Sequence, residues 1–441
     1  MAGPGEFSTW NLLAPRYLLL CGGATKHLAN KLGPGNPHSR YNRIVAVLEF
    51  LIARQLVIDK VSARIQALET EFVPLLEAVA RVLAESASAD RDYPPLDRSV
   101  RDGYALVSGS LPGTFQVIGE VQAGCQFVGD VGPGQAVEIM TGAPIPAGAD
   151  QVVMVEHVEL NGGVIHTARP AAQGEFINPR GSETKSGQQV VAKGSRLNYA
   201  SIAMLATVGL DKVNVYRRPT VAILSTGDEI VGVTEQPAPH QIRNSNSYSI
   251  AAQVIRAGGI PIVFPVVGDS LEQTRKAIKE GMQHDFLLLS GGVSAGKYDF
   301  VEPVLAELGA EFYFEGVLIQ PGKPLVFGSA GGKFFFGLPG NPGSTMVTFE
   351  LFARPALELL SGQASAHLPV VEAELTKPFR HKTGLTRFLP AHLSSGGAKL
   401  TPLRWQGSSD VVALSGANCF LVADPNRESW QAGDHIQVLL Q

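Results

Sequence analysis

Four short turns in this 441-residue chain carry residue types that bind phosphate. They are Ser225-Thr226-Gly227-Asp228-Glu229, Ser290-Gly291-Gly292-Val293-Ser294, Pro321-Gly322-Lys323-Pro324 and Leu338-Pro339-Gly340-Asn341-Pro342. Glycines let backbone N–H groups approach an anion, hydroxyls add donors and Lys323 adds a cation. Asp228, Glu229, Asp269 and Asp299 supply hard oxygens of the kind that hold Mg²⁺ against phosphates. One such turn says little, because strand-to-helix turns use Gly, Ser and Asp for geometry and capping in any case. Four together, with acids among them, point to an anionic phosphorylated ligand. The sequence contains neither a Walker A motif nor G-x-G-x-x-G, which disfavours ordinary NTPases and dinucleotide dehydrogenases.

The elements around these turns alternate strand and helix. From about residue 218, TVAILST, PIVFPVVGD, DFLLLSGG, KPLVFG and KFFFGLP read as strands. Between and after them, SNSYSIAAQVIRAGG, LEQTRKAIKEGMQ, YDFVEPVLAELG and GSTMVTFELFARPALELLSG read as helices. This alternation predicts a doubly wound, mainly parallel sheet, with ligands bound outside the carboxyl ends of its strands. Helical spacing of apolar residues begins near Ile44, a further helix is expected from Pro74, and RLNYASIAMLATVGL reads as another. Short Val/Ile-rich runs between Gly/Pro turns over 106–180, and again after 367, predict small β modules. The expected organisation is therefore multidomain α/β plus β. Residues 1–46 are a disordered extension, and 47–87 with 186–217 form a helical linker domain. An inserted β domain spans 88–185, the ligand-binding α/β domain 218–366 and a barrel-like β domain 367–441.

Composition excludes several classes. Apolar residues make up 45% and charged residues 17%, as in a soluble globular protein. The net charge of −4 and the lack of a basic stripe argue against a nucleic-acid partner. Cys21, Cys125 and Cys419 lie far apart and form no C-x-x-C pair, which suits reduced cytoplasmic thiols. No apolar run reaches the length of a membrane span. The run ending in Cys21 is short, an Arg interrupts its approach and Leu20 precedes the cysteine, so export is not expected.

Taken in order, STGDEI, RNSN, GDS, LLLSGGVSAGKYDF, QPGKPLVFG and GLPGNPGSTMVTFELF resemble the molybdopterin molybdenumtransferase family, which includes the gephyrin E-domain. DRSVRDGYAL, EIMTGAPIPAGADQVVMVE, RGSETKSGQQVVAKGSRL, TRFLPA and WQGSSDVVAL extend the resemblance over about 47–441. It implies an elongated four-domain homodimer, with each cleft completed by the β module of the other subunit. It also implies a transferase that takes adenylylated molybdopterin and molybdate, inserts molybdenum into the dithiolene, releases AMP and uses Mg²⁺. Tungstate, a tetrahedral dianion of similar size, fits equally. Candidate partners are the upstream molybdopterin adenylyltransferase and downstream molybdoenzyme maturation proteins.

By resemblance, Thr226, Gly227, Asp228, Ser290, Gly291, Gly292, Ser294, Lys323, Pro339, Gly340, Asn341, Pro342 and Ser408 bind the ligand. Asp102, Thr141, Glu183, Glu229, Asp269 and Asp299 match catalytic positions, and Asp228, Glu229 and Asp299 would hold the metal. The chain departs from the pattern in two places. Glu183 stands where Asp is usual, which moves its oxygens by a methylene. Gly316 and Gln320 stand where some members carry lysines, leaving Lys323, Arg180 and Arg243, with Ser408, as candidates for the molybdate pocket. Two alternatives are an adenylyltransferase, which would lack the domains flanking the α/β unit, and a non-catalytic scaffold.

Overall fold

The strands expected after residue 218 form one six-stranded sheet. Its order is Ile260–Val263, Thr220–Ser225, Phe286–Ser290, Lys333–Leu338, Val326–Ala330 and Glu311–Glu315. The first four run parallel, Val326–Ala330 runs against them, and Glu311–Glu315 pairs antiparallel with it and so shares the direction of the first four. The computed structural model describes residues 47–64, 69–109, 111–169, 172–292 and 300–441. The expected extension 1–46 lies outside them, as do Ser294 and Asp299.

Parallel strands with helices on both faces need apolar side chains on both sides. FLLLS of Phe286–Ser290 is buried throughout, and Phe286, Phe327, Phe334 and Phe336 pack into the larger core. Register places Ser225, Ser290 and Leu338 in one row, so three glycine-bearing turns leave the sheet side by side. Asn244 caps Ser245–Arg256 by accepting from Ser247 N, and Gly258 (φ +92°) lies just beyond that helix.

Three features differ from the sequence expectation. The helix expected from Pro74 is instead the strand Thr70–Pro74 and a 3₁₀ turn, Leu75–Ala78. The backbone of the strand is captured by antiparallel pairing with Lys212–Tyr216, which overrides local helical spacing. The helix Phe50–Arg64 packs Ala53, Val57 and Val61 into the α/β core rather than the linker core. The long final helix is interrupted by a π turn, Phe349–Ala353, between Pro342–Thr348 and Arg354–Leu360. Pro355 follows that turn and has no N–H for the helical ladder, which accounts for the local break.

The linker core draws Val73, Leu83, Val191, Leu205 and Val215 from both sides of the inserted module. Between them, six strands from Gly103–Leu106 to Val164–Thr167 form a second sheet. After residue 367, Thr386–Leu393, Lys399–Pro402, Val370–Leu375, His435–Leu440 and Cys419–Ala423 close into a five-stranded barrel, because the first also pairs with the last. Ile319–Gln320 adds to this barrel alongside Thr386–Leu393, which fixes the start of the Pro321–Pro324 turn. Among the described residues, no helix is long and apolar enough to cross a membrane.

At the opposite end of the parallel strands, Asp285 accepts from Arg217 Nη1 (2.6 Å) and Nη2 (2.9 Å), and from Thr220 N (2.9 Å). Burial alone would raise its pKa, but these hydrogen bonds prevail and hold the carboxyl far below the usual range. A depressed carboxylate contributes stability that is present at neutral pH and lost as pH falls below about 4. Asp285→Asn should cost about 3 kcal/mol at pH 7, because the guanidinium loses its close counter-charge and keeps only the exposed Glu69 carboxylate at 3.7 Å. Urea unfolding at pH 7 and pH 3.5 checks this: the difference between variant and wild type should shrink in acid. An equal difference at both pH values would refute the assignment.

Candidate functional site

The row of strand ends opens into a cleft of about 750 Å³. Thr226, Ser290, Gly291, Gly292, Pro339, Gly340, Asn341 and Pro342 line one part of it. The Gln320–Pro324 segment lines another, and Leu385, Trp405, Gly407 and Ser408 of the carboxyl-terminal region complete the wall. Thus ten of the ligand-binding residues expected from sequence (Thr226, Ser290, Gly291, Gly292, Lys323, Pro339, Gly340, Asn341, Pro342 and Ser408) meet around one space. Gly227 and Asp228 belong to the adjoining turn but do not line the cleft.

The central turns present mostly backbone and small polar side chains to the cleft. Ser290 is buried and its hydroxyl accepts from Asn246 Nδ2 at 2.8 Å. The following Gly291 has φ +84°, and a Cβ there would press on the Thr226 carbonyl at 3.0 Å. A glycine is therefore required where the chain turns away from the strand. Asn341 Nδ2 donates to Ser408 Oγ at 2.9 Å and Gly343 N to Ser408 O at 2.7 Å, tying the carboxyl-terminal wall to the α/β turns.

The sequence reading did not assign a role to Asn246. Its Nδ2 also donates to the Gly340 carbonyl at 2.7 Å, so one amide staples two central turns of the cleft. Because a carbonyl can only accept, the amide orientation is fixed, and its buried Oδ1 has no partner. The signal lay in RNSN: a second amide in the first turn of a helix already capped by Asn244 needs a use for its donors.

The acids divide into two groups. Asp269 N donates to Asp228 Oδ1 at 2.9 Å, and Glu229 lines the cleft. Burial first, then the charges of Asp228 and Glu229, raise the Asp269 pKa, the behaviour of acids gathered without a cation. Among the described residues, no three potential metal ligands stand close enough to hold an ion. Asp102, Thr141 and Glu183 sit on the β module. Asp102 Oδ1 accepts from Thr141 N (2.6 Å) and Oγ1 (2.8 Å), which lowers its pKa. Gly142 N donates to Ser99 O and Val100 N to Phe176 O, joining the three loops around this pair. Asn178 Nδ2 donates to Glu183 at 3.3 Å. None of the three residues lines this chain's cleft.

Of the expected cations, Lys323 and Arg243 line the cleft. Arg243 Nε donates to Glu235 O at 3.1 Å. Arg180 does not line it; its guanidinium pairs with Asp92 at 2.7 Å. Gly316 packs near Val47, and Gln320 lines the cleft without charge.

Three family profiles match the chain: MoeA N-terminal region (domain I and II) over 51–209, probable molybdopterin binding domain over 222–359, and MoeA C-terminal region (domain IV) over 372–441. The molybdopterin molybdenumtransferase of Bacillus subtilis (strain 168) is 38% identical over 386 residues, covering 84% of this chain and 90% of the relative. That of Staphylococcus aureus (strain Mu50) is 35% identical over 379 residues, covering 83% and 90%. A molybdopterin biosynthesis moeA protein from Pyrococcus horikoshii OT3 superposes with TM-score 0.73 at 29% identity, covering 90% of this chain and 100% of that one.

Proposed function

This chain belongs to the molybdopterin molybdenumtransferase family and has a role in molybdenum cofactor biosynthesis, and from that premise we propose how its cleft works. The ligand is adenylylated molybdopterin, and molybdate is the co-substrate. The observation that carries this reading is the convergence of three glycine turns, Lys323 and Ser408 on one cleft. Backbone N–H groups at Gly292 and Gly340 suit phosphate oxygens, while Gly291 N donates to Leu338 O at 3.3 Å and holds the turn. Lys323, Arg243 and Ser408 suit the molybdate dianion. Water adds across the phosphoanhydride, giving AMP and leaving the phosphate on the pterin side chain, while molybdate exchanges one oxygen, lost as water with the two thiol protons, for the two dithiolene sulfurs without a change of oxidation state.

Asp228 and Glu229 offer hard oxygens that suit Mg²⁺, and the raised Asp269 pKa is consistent with a place for positive charge. Asp299 is assigned to the same cation by its position in the motif. Bound there, Mg²⁺ would offset charge on the phosphates. Asp102, Thr141 and Glu183 act in the cleft of a second subunit, so the working unit is a homodimer. It acts in the cytoplasm, between the adenylyltransferase that supplies its substrate and the maturation proteins that receive its product. Purified protein given adenylylated molybdopterin and Mg²⁺ should release AMP only when molybdate is added. Binding without release would favour a scaffold, and molybdate-independent release would refute coupled insertion.

A further inference from the structure

We propose that Trp405 is the platform on which a planar ring of the ligand stacks, an inference that rests on the function proposed above. A pterin and an adenine each need an apolar surface for the ring face and polar groups at the ring edge. The floor of the cleft is glycine backbone and amide, which serves anions. Apolar lining comes from Trp405, Leu385 and Ile319 on the barrel side, and from Ile230 and Ile242 of the α/β domain. Trp405 is the one aromatic residue among the lining residues described.

Its surroundings suit a ligand better than a packing role. Trp430, the barrel's other tryptophan, packs against Phe379 and His381, whereas Trp405 takes no part in that cluster. Trp405 is half-buried, and its Nε1 is buried without a hydrogen-bond partner. The loop that carries it is held from both sides. Leu403 N donates to Pro390 O at 3.1 Å, Gln406 N to Asp410 Oδ2 at 3.1 Å, and Ser408 is bound by Asn341 and Gly343. A wall fixed in advance loses little freedom when a ring settles on it. Stacking on an aromatic face tolerates either heterocycle, so the test has an arm for each.

The full chain is titrated with AMP and, separately, with 6-carboxypterin, by calorimetry and by tryptophan emission. At least one probe should quench the wild type. Trp405→Phe should bind that probe within about threefold but lose the quench, since Trp10 and Trp430 remain. Trp405→Leu, which keeps apolar volume and removes the aromatic face, should bind about tenfold more weakly. The responding probe identifies the ring. If a probe binds by calorimetry but emission does not change and Trp405→Leu binds within twofold, the platform is refuted while the proposed function stands. If neither probe binds the wild type, the proposed function falls and the platform with it.

Discussion

Lys323→Ala should lower molybdate-dependent AMP release about a hundredfold in kcat/KM, roughly 2.7 kcal/mol, while the melting temperature stays within about 2 °C. The side chain is exposed at the cleft and has no ion-pair partner among the described residues. Its backbone is held independently: Val317 N and Leu325 N both donate to Lys323 O, at 2.9 and 3.0 Å. Truncation therefore removes charge without loosening the turn. The loss should be large because little else is positive there. Gly316 and Gln320 are neutral, Arg180 is paired with Asp92 on another module, and Arg243 remains as the second cation lining the cleft. Lys323→Arg should recover part of the activity, since it keeps charge but changes reach. Steady-state AMP release at varied molybdate checks this, and a loss below about threefold would remove Lys323 from the anion pocket.

What was legible in the sequence follows from distance along the chain. The parallel sheet was legible because each strand and helix carries its own local period, and strand ends in such a sheet bring turns together by topology. Thr226, Ser290, Gly291 and Gly340 were found in this way. The strand Thr70–Pro74 was not legible, because its partner Lys212–Tyr216 lies far along the chain and only pairing decides between strand and helix. Trp405 and Leu385 were missed for a related reason: they belong to a β module whose local pattern says nothing about which neighbour it faces. The pairing of Arg180 with Asp92, 88 positions away, was not legible either, because an unpaired cation and a paired one look alike in sequence. The placing of Asp102 away from this chain's cleft agrees with what the family resemblance implied, but no local period or spacing carried it.

That placing leads to the second large effect. Asp102→Ala should reduce AMP release about a thousandfold, within the range for loss of a group that positions a reacting water or cation. The hydrogen bonds from Thr141 N and Oγ1 lower the pKa of this carboxyl and so favour its ionised form, which suits the proposed role of an acceptor rather than a proton donor. Thr141→Ala removes one of these two donors and leaves the backbone N–H, so its loss should be smaller, about tenfold. Neither residue lines the cleft of its own chain. On the shared-site reading proposed above, both act on the cleft of another copy. Mixing Asp102→Ala chains with Lys323→Ala chains separates the cases. In a heterodimer, the cleft of the Asp102→Ala chain keeps Lys323 and would receive an intact Asp102 from its partner. One of the two sites is then wild type, and verified heterodimers should show about half of wild-type turnover. A heterodimer no more active than its parents would place Asp102 and Lys323 in the same chain's site, which would require the β module to reach its own cleft.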